Sequence, residues 1–455
     1  MEASVRTNDM ILLMDYYSVE GQDLETSLRL AGYDCPTMVI EDDGFLPVGV
    51  ESVYGYFLGD FSKAKNVLGR PRYFNEIEVP DYWEISGNNT SGKVHDLYRE
   101  RGRIFYAQPE HKRLVKVVDW LDERGIVRSS DHYNRFGALY ARTIFNAQGK
   151  KVNKSYFSAE GKEMIVENFV TGDIVVNDGE KVKFFHTKTD FVVYFFRRAK
   201  LKQTRIFFNS LSTPFFVSEK LHSPTKRDVL FWQEPIWDSV PGNMQIILRG
   251  EATRTANIMV QKREAYDKLL ALGANPDMVH RLGYIYPFQR ENGHGLDALI
   301  CTNSDNIAHC TKLVQELPQI HFHIAAITEM SSKLMAVGEN DNVSLYPGVK
   351  MGVLDELFTQ CDLYFDINHE NEIVSAVRRA FMNNQLIFAF RETLHNGEYV
   401  AREHIYSESE PDCLIADVQK VMEDSKLIEE HLKLQREYAM AENEETYQNQ
   451  VFARI

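Results

Sequence analysis

Two short polar runs carry the side chains best suited to hold a ligand. Asn368-His369-Glu370-Asn371-Glu372 stands between the apolar run DLYFDI and the helix-like IVSAVRRAFMNN, and Asn303-Ser304-Asp305-Asn306 follows the apolar run DALICT. Their amides, hydroxyl and imidazole supply neutral donors and acceptors, which match the backbone amides and hydroxyls of a bound chain. A diphosphate needs cations instead. The run from Asn303 to Asn306 holds none and adds the carboxylate of Asp305, so it would repel one. Glycines that let backbone amides approach a phosphate are also missing from both runs. Asn303, Ser304, Asn306, Asn368, His369 and Asn371 therefore form the candidate set for a polypeptide- or sugar-contacting site, and the competing reading is a loop with no such role. No catalytic residue, metal site or cofactor is assigned.

Other side chains weigh less. His321 and His323 lie two apart in HFHIAA and share one face of a strand, which could begin a metal site. No third ligand accompanies them, and ordinary packing accounts for them better. Gly293 and Gly295 in NGHGLD read as a linker turn rather than a phosphate cradle. Glu234 in WQEP and Glu251 in RGEAT could line a cleft from the first domain, or could be solvated loop carboxylates. Cys35, Cys301, Cys310, Cys361 and Cys413 are scattered without a CxxC pair and read as free, mostly buried thiols.

The chain that positions the polar runs alternates strands with helices. Between Asn342 and Arg391 the order is strand (VSLYPG), helix (LDELFTQC), strand (DLYFDI), helix (IVSAVRRAFMNN) and strand (LIFAF). Crossovers of this length place such strands in a parallel sheet, with ligands outside the carboxyl ends, where NHENE sits. The chain opens in the same style, with the strand MILLMDY, the helical QDLETSLRLAGYDCP and the strand PTMVIEDD. No GxGxxG follows the first strand, so a dinucleotide has little support.

From Ser52 to Lys202 the texture turns to β. RYFNEIEVP, YWEIS, RIFYAQ, RLVKVVDWL, ALYARTIFN, VNKSYFSA, EMIVENFV, DIVVNDG and DFVVYFF read as short strands, with turn residues at Glu123-Arg124-Gly125, Gln148-Gly149-Lys150, Glu160-Gly161-Lys162 and Asn177-Asp178-Gly179. A large antiparallel meander inserted into the first α/β domain explains this pattern. Aromatics alternating on its strands read as sheet-face packing. The expected domains are 1–51 with 203–288 (first Rossmann-like domain, discontinuous), 52–202 (inserted β-sheet domain), 289–430 (second Rossmann-like domain) and 431–455 (C-terminal helix).

At 455 residues the chain exceeds one hydrophobic core. No apolar run reaches membrane-spanning length and no basic-then-apolar leader is present, so a cytoplasmic place is expected. A net charge of −15 disfavours nucleic acid as a partner. The charge is uneven: 26 Lys plus Arg face 20 Asp plus Glu between Glu51 and Thr204, an excess of +6 that leaves −21 for the rest. Such asymmetry can orient a protein on an anionic surface or an acidic partner, or can be a solvated basic face.

The organising stretch resembles the donor half of a retaining GT-B glycosyltransferase. In that family the polar break reads Glu-Gly-Phe-Gly, with a second Glu eight positions after the first. Here eight positions from Glu370 reaches Arg378, and from Glu372 reaches Ala380. The Gly-Arg pair and nearby Lys that clamp the diphosphate in catalytic relatives are replaced by Asn303-Ser304-Asp305-Asn306. VHRLGYIYPF resembles the linker strand that closes the first GT-B domain. Over nearly its full length, with MILLMDYY, a meander of the WLDERGIVRSSDHYNRFG type and a donor-like domain without its glutamate pair, the chain resembles the stabilising subunits of the O-GlcNAc transferases that modify serine-rich-repeat adhesins in the accessory Sec pathway. This resemblance implies a non-catalytic chain paired with a homologous catalytic glycosyltransferase chain. It further implies binding of the Ser/Thr-rich acceptor polypeptide by cleft and β extension, and the uneven charge adds the anionic inner membrane face as a further candidate partner. An active GT-B glycosyltransferase with an unconventional donor site, and an unrelated α/β scaffold, are the alternatives.

Overall fold

Apolar runs buried on both faces build a parallel sheet at each end of the chain, and a polar-faced meander lies between them in sequence. The computed structural model describes residues 10–33, 35–65, 67–179, 181–201, 205–221 and 227–451. They divide into two units, one extending to Arg281 and the other spanning Leu282–Gln450.

In chain order the first unit holds β1 (Met10–Met14), β2 (Thr37–Val39), β3 (Val50–Ser52), ten strands from β4 (Glu84–Gly87) to β13 (Lys181–Phe185), and then β14 (Arg205–Phe208), β15 (Asp228–Trp232), β16 (Thr255–Val260) and β17 (Val279–Arg281). The first sheet is wholly parallel, in the order β17-β16-β15-β14-β1-β2-β3. All five residues of β1 are buried, as expected where helical crossovers cover both faces. The first crossover is the helix Val19–Leu30, whose amino end is capped by Ser18 accepting from the Gly21 N–H at 3.1 Å. After β3 the chain departs into the meander and returns through the helix Lys188–Arg198 to β14, which pairs with β1.

The ten meander strands pair in sequence order, each antiparallel to the next. Turn chemistry sets their register. In the Asp122–Gly125 turn, Asp122 Oδ1 accepts from the N–H groups of Arg124 (2.9 Å) and Ile126 (3.0 Å), and Gly125 takes φ 77°, a left-handed angle that favours glycine.

Several elements differ from the sequence expectation. DFVVYFF is not a strand: it lies in the helix Lys188–Arg198, where the Thr187 hydroxyl accepts from the Asp190 N–H and Phe191, Val192, Val193, Phe195 and Phe196 are buried. Burial of this many side chains overrides the strand preference of aromatic and β-branched residues. RYFNEIEVP makes only a short 3-10 turn at Phe74–Glu76, held by Glu76 accepting from the Tyr73 N–H at 2.7 Å. Three strands escaped the pattern, at Ser91–Asp96, Val127–Tyr133 and Lys181–Phe185. In the second of these the buried positions include Ser130 and Asp131, and Asp131 is engaged by Trp120 Nε1 and bidentately by Arg142. A buried polar face defeats a search for alternating apolar residues.

The second unit contains β18 (Asp297–Thr302), β19 (His321–Ala326), β20 (Val343–Tyr346), β21 (Leu363–Asp366), β22 (Leu386–Phe390) and β23 (Ile405–Tyr406), all parallel, in the order β20-β19-β18-β21-β22-β23. The closing segment is more than one helix: Pro411–Met422, Ser425–Tyr438 and Glu444–Val451 follow one another, and residues 452–455 lie outside the described ones. Gln435 stitches the middle helix to β22, its carbonyl oxygen accepting from the Ile387 N–H and its amide donating to Gln385 O, both at 2.9 Å. Among the described residues no helix is long and apolar enough to cross a membrane.

Candidate functional site

The second sheet changes direction between β18 and β21. From β18 the chain adds β19 and β20 on one side, then returns to add β21, β22 and β23 on the other. Ligands of open α/β sheets bind outside the carboxyl ends at such a switch point. The loops that follow β18 and β21 contain both polar runs, so the six candidate residues converge on one place.

Backbone bonds zip the two loops together. The Ala308 N–H donates to Ile367 O at 2.8 Å and the His369 N–H to Asn306 O at 3.1 Å. Asn368 is the hub: at 2% exposure its Oδ1 lies 2.9 Å from the Thr302 hydroxyl, and its amide donates to Glu370 O at 3.0 Å, with Asn303 Oδ1 and Asn371 O at 3.4 Å. Its donors and acceptor are thus engaged inside the loop, and Asn368 shapes the site instead of presenting itself to a ligand. Asn306, His369 and Asn371 are exposed, and Asn303 and Ser304 half-buried. His369 Nε2 faces Glu408 Oε1 at 3.1 Å.

The carboxylates of the loops have separate structural uses. Glu372 Oε1 accepts from the Val377 N–H at 2.9 Å at the start of the helix Ala376–Met382, and burial pushes its carboxyl up. Asp305 accepts from the Ser331 hydroxyl at 2.7 Å, which holds it below the usual carboxylate range. The loop leaves the site through Val374 (φ 49°) and Ser375 (φ 53°), two successive left-handed residues that are not glycine.

Sequence reasoning missed Asp366 and His395. Asp366 ends β21 at 2% exposure, and the His395 ring bridges its carboxylate to the carbonyl of Glu370. The available signal was a carboxylate ending the apolar run LYFD, because a buried charge demands a partner. The lesser candidates also find their places. His323 hydrogen-bonds Asp297 Oδ1 (2.8 Å) and the Tyr346 hydroxyl (2.9 Å), while His321 meets the Ser344 hydroxyl at 2.8 Å, so the two rings sit in an internal polar network. Among the described residues no group of three or more His, Cys, Asp or Glu could hold a metal ion. The N–H groups of Gly293 and Gly295 cradle the protein's own Asp362, at 2.9 and 2.6 Å, and a Cβ on Gly295 would fall 2.8 Å from that carboxylate. Glu234 and Glu251 are exposed loop residues of the first unit.

Family models match four successive stretches: the GtfB N-terminal domain over residues 11–57, the GtfB middle domain over 83–186, the GtfB third domain over 188–272 and the GftB/GlyA-F C-terminal domain over 298–435. The chain is 43% identical over 417 residues to the UDP-N-acetylglucosamine–peptide N-acetylglucosaminyltransferase stabilizing protein GtfB of Streptococcus gordonii, covering 91% of this chain and 92% of that one. It is 44% identical over 440 residues to the protein of the same name from Streptococcus agalactiae, covering 96% and 98%. A chain in a crystal structure of a GtfA/B complex bound to UDP and GlcNAc matches with a TM-score of 0.92 at 42% identity, over 98% of this chain and 99% of that one.

Proposed function

The chain belongs to the GtfB family of glycosyltransferase-stabilizing proteins, and on that premise we propose that it is the non-catalytic partner of a homologous, UDP-GlcNAc-using glycosyltransferase chain. In this role it stabilises that chain and binds the Ser/Thr-rich acceptor polypeptide of a serine-rich-repeat adhesin, in the cytoplasm. The two parallel-sheet units act as a GT-B-like Rossmann pair, with the meander as an inserted domain. Its basic excess serves contacts with the partner or with an anionic membrane face.

The observation that carries this reading is the chemistry of the switch point. Asn303, Ser304, Asn306, His369 and Asn371 present amides, a hydroxyl and a ring there, beside the carboxylates of Asp305 and Glu370. A diphosphate would meet negative charge, whereas an extended polypeptide would find partners for its amides and hydroxyls. Such a ligand loses conformational entropy on binding, so several modest bonds must act together.

One experiment tests the role as a whole. The chain and a triple variant, Asn303→Ala with Asn306→Ala and Asn371→Ala, are each mixed with the catalytic chain. Gel filtration, the catalytic chain's melting temperature and the affinity for a Ser/Thr-rich peptide are then read. The wild type should raise the partner's melting temperature by mass action. The triple variant should assemble and stabilise equally well, but bind peptide about 10-fold more weakly. An unmoved melting temperature refutes the stabilising role. Unchanged peptide affinity in the triple variant moves the acceptor site elsewhere, to the meander first.

A further inference from the structure

We propose that His395, as its imidazolium, is the clasp that positions the loop from Asn368 to Glu372 against the second sheet and thereby sets the loop's shape for its polypeptide ligand. The proposal deepens the binding role given above and rests on it. His395 is a positioning residue here, acting through the loop.

Hydrogen-bond geometry requires the charged ring. Nδ1 lies 2.5 Å from Asp366 Oδ1, and Nε2 lies 2.6 Å from Glu370 O. A neutral imidazole has one N–H and one lone pair, so one of these contacts would set a lone pair against an oxygen. Only the doubly protonated ring donates to both. The clasp is anchored before it reaches the loop. The His395 backbone N–H donates to Asp366 Oδ2 at 2.8 Å, and the Thr393 hydroxyl donates to Asp366 O at 2.7 Å.

The loop needs holding. Val374, a β-branched residue, and Ser375 both take left-handed angles just after it, a conformation that persists only where surrounding contacts enforce it. Charge adds a second reason. The groups facing the ring are the Asp366 carboxylate from β21, the Glu372 carboxylate from the loop and the Glu370 carbonyl. Remove the ring's proton and Asp366 and Glu372 face each other with no cation between them. In keeping with this, the Asp366 carboxylate pushes the His395 pKa up to about 9, against the opposing effect of burial.

The test uses the full chain, the variant His395→Gln and a synthetic Ser/Thr-rich peptide. Amide hydrogen exchange across residues 366–377 reports the loop, binding reports the ligand, and both are followed from pH 7 to 10. His395→Gln should speed exchange of the His369 and Val377 amides, which donate to Asn306 O and Glu372 Oε1, about 10-fold, leave β18 and β22 unchanged, and weaken peptide binding by a similar factor. Wild-type affinity should fall with the ring's titration near pH 9, while the variant's affinity stays flat there. The wild-type pH series stands on its own if the variant does not fold. Unchanged protection in the variant, or in the wild type across the titration once the base-catalysed rise of intrinsic exchange is divided out, overturns the clasp whatever the peptide does. Faster exchange with unchanged affinity also overturns the positioning role. The Asn303/Asn306/Asn371 triple variant then separates two causes: weakened binding there means the loop binds without needing the clasp, and unchanged binding means the acceptor lies elsewhere.

Discussion

Asp228 and Asp366 are both buried to 2% exposure or less and both are paired with a cation, yet they sit at opposite ends of their strands. Asp228 opens β15, at the amino edge of the first sheet. Arg254 grips it bidentately at 2.8 and 2.9 Å, Ser218 donates at 2.7 Å, the Ile206 N–H at 3.0 Å, and neither member of the ion pair is exposed. Asp366 closes β21, at the carboxyl edge of the second sheet, and its cation is a histidine with a second nitrogen left over for a loop. The first cation is a guanidinium forked onto both carboxylate oxygens, and the second is an imidazolium, the side chain suited to act as a switch. A pair sealed at the amino edge fixes the fold, whereas the same charge logic at the carboxyl edge can organise a ligand loop.

Breaking the sealed pair should have the largest effect. Arg254→Met strands the Asp228 carboxylate in the core and should cost about 3–5 kcal/mol of stability. Denaturant unfolding should show the loss in the first unit. A loss below about 1 kcal/mol would mean that the pair contributes no more than a surface bridge.

Alkali should separate the two pairs next. His395 has a folded pKa of about 9 against 6.5 for the unfolded ring. A raised pKa contributes stability that is complete below pH 6.5 and disappears as pH rises through 9. The expected loss in the second unit is about 2 kcal/mol, allowing for water that reaches the ring. Acid should not discriminate: burial lowers His132 in the first unit to about 3 and His404 in the second to about 4. Both contributions are complete above pH 6.5 and are lost as pH falls toward those values. Hydrogen exchange read separately for the two units at pH 5, 7 and 10 checks both limbs. Equal alkaline losses in both units would remove the distinction.

The same contrast explains what the sequence disclosed. Runs such as MILLM and LIFAF are apolar without interruption because parallel strands are covered on both faces, so the two sheets were legible. The meander turns were legible from the glycine that each of them carries. VRSSDHY was not, because its buried Asp131 is neutralised by Arg142 on a neighbouring strand, a partner that only the fold brings close. At the site, crossover length put NHENE at the carboxyl end of a parallel sheet, whereas the strand order that brings the run from Asn303 to Asn306 beside it is seen only in the fold. The roles within the two runs were not legible either. Asn368 and Asn371 are the same residue type three positions apart, and only burial shows that one is a hub and the other a surface group.

That internal contrast gives the smallest effect. Asn371 is exposed, and its side chain is free of the bonds that hold Asn368, so Asn371→Ala should leave unfolding unchanged. It should weaken peptide binding by no more than about 3-fold, the share of one modest hydrogen bond in a distributed set. Asn368→Ala removes one partner of the Thr302 hydroxyl and the donor to Glu370 O, so its effect should appear as lost stability and faster exchange of the loop amides. Calorimetry with a Ser/Thr-rich peptide, run beside thermal unfolding, distinguishes the two. If Asn371→Ala alone abolished binding, recognition would rest on a single anchor, and the distributed, sequence-tolerant contact expected of an extended acceptor would be wrong.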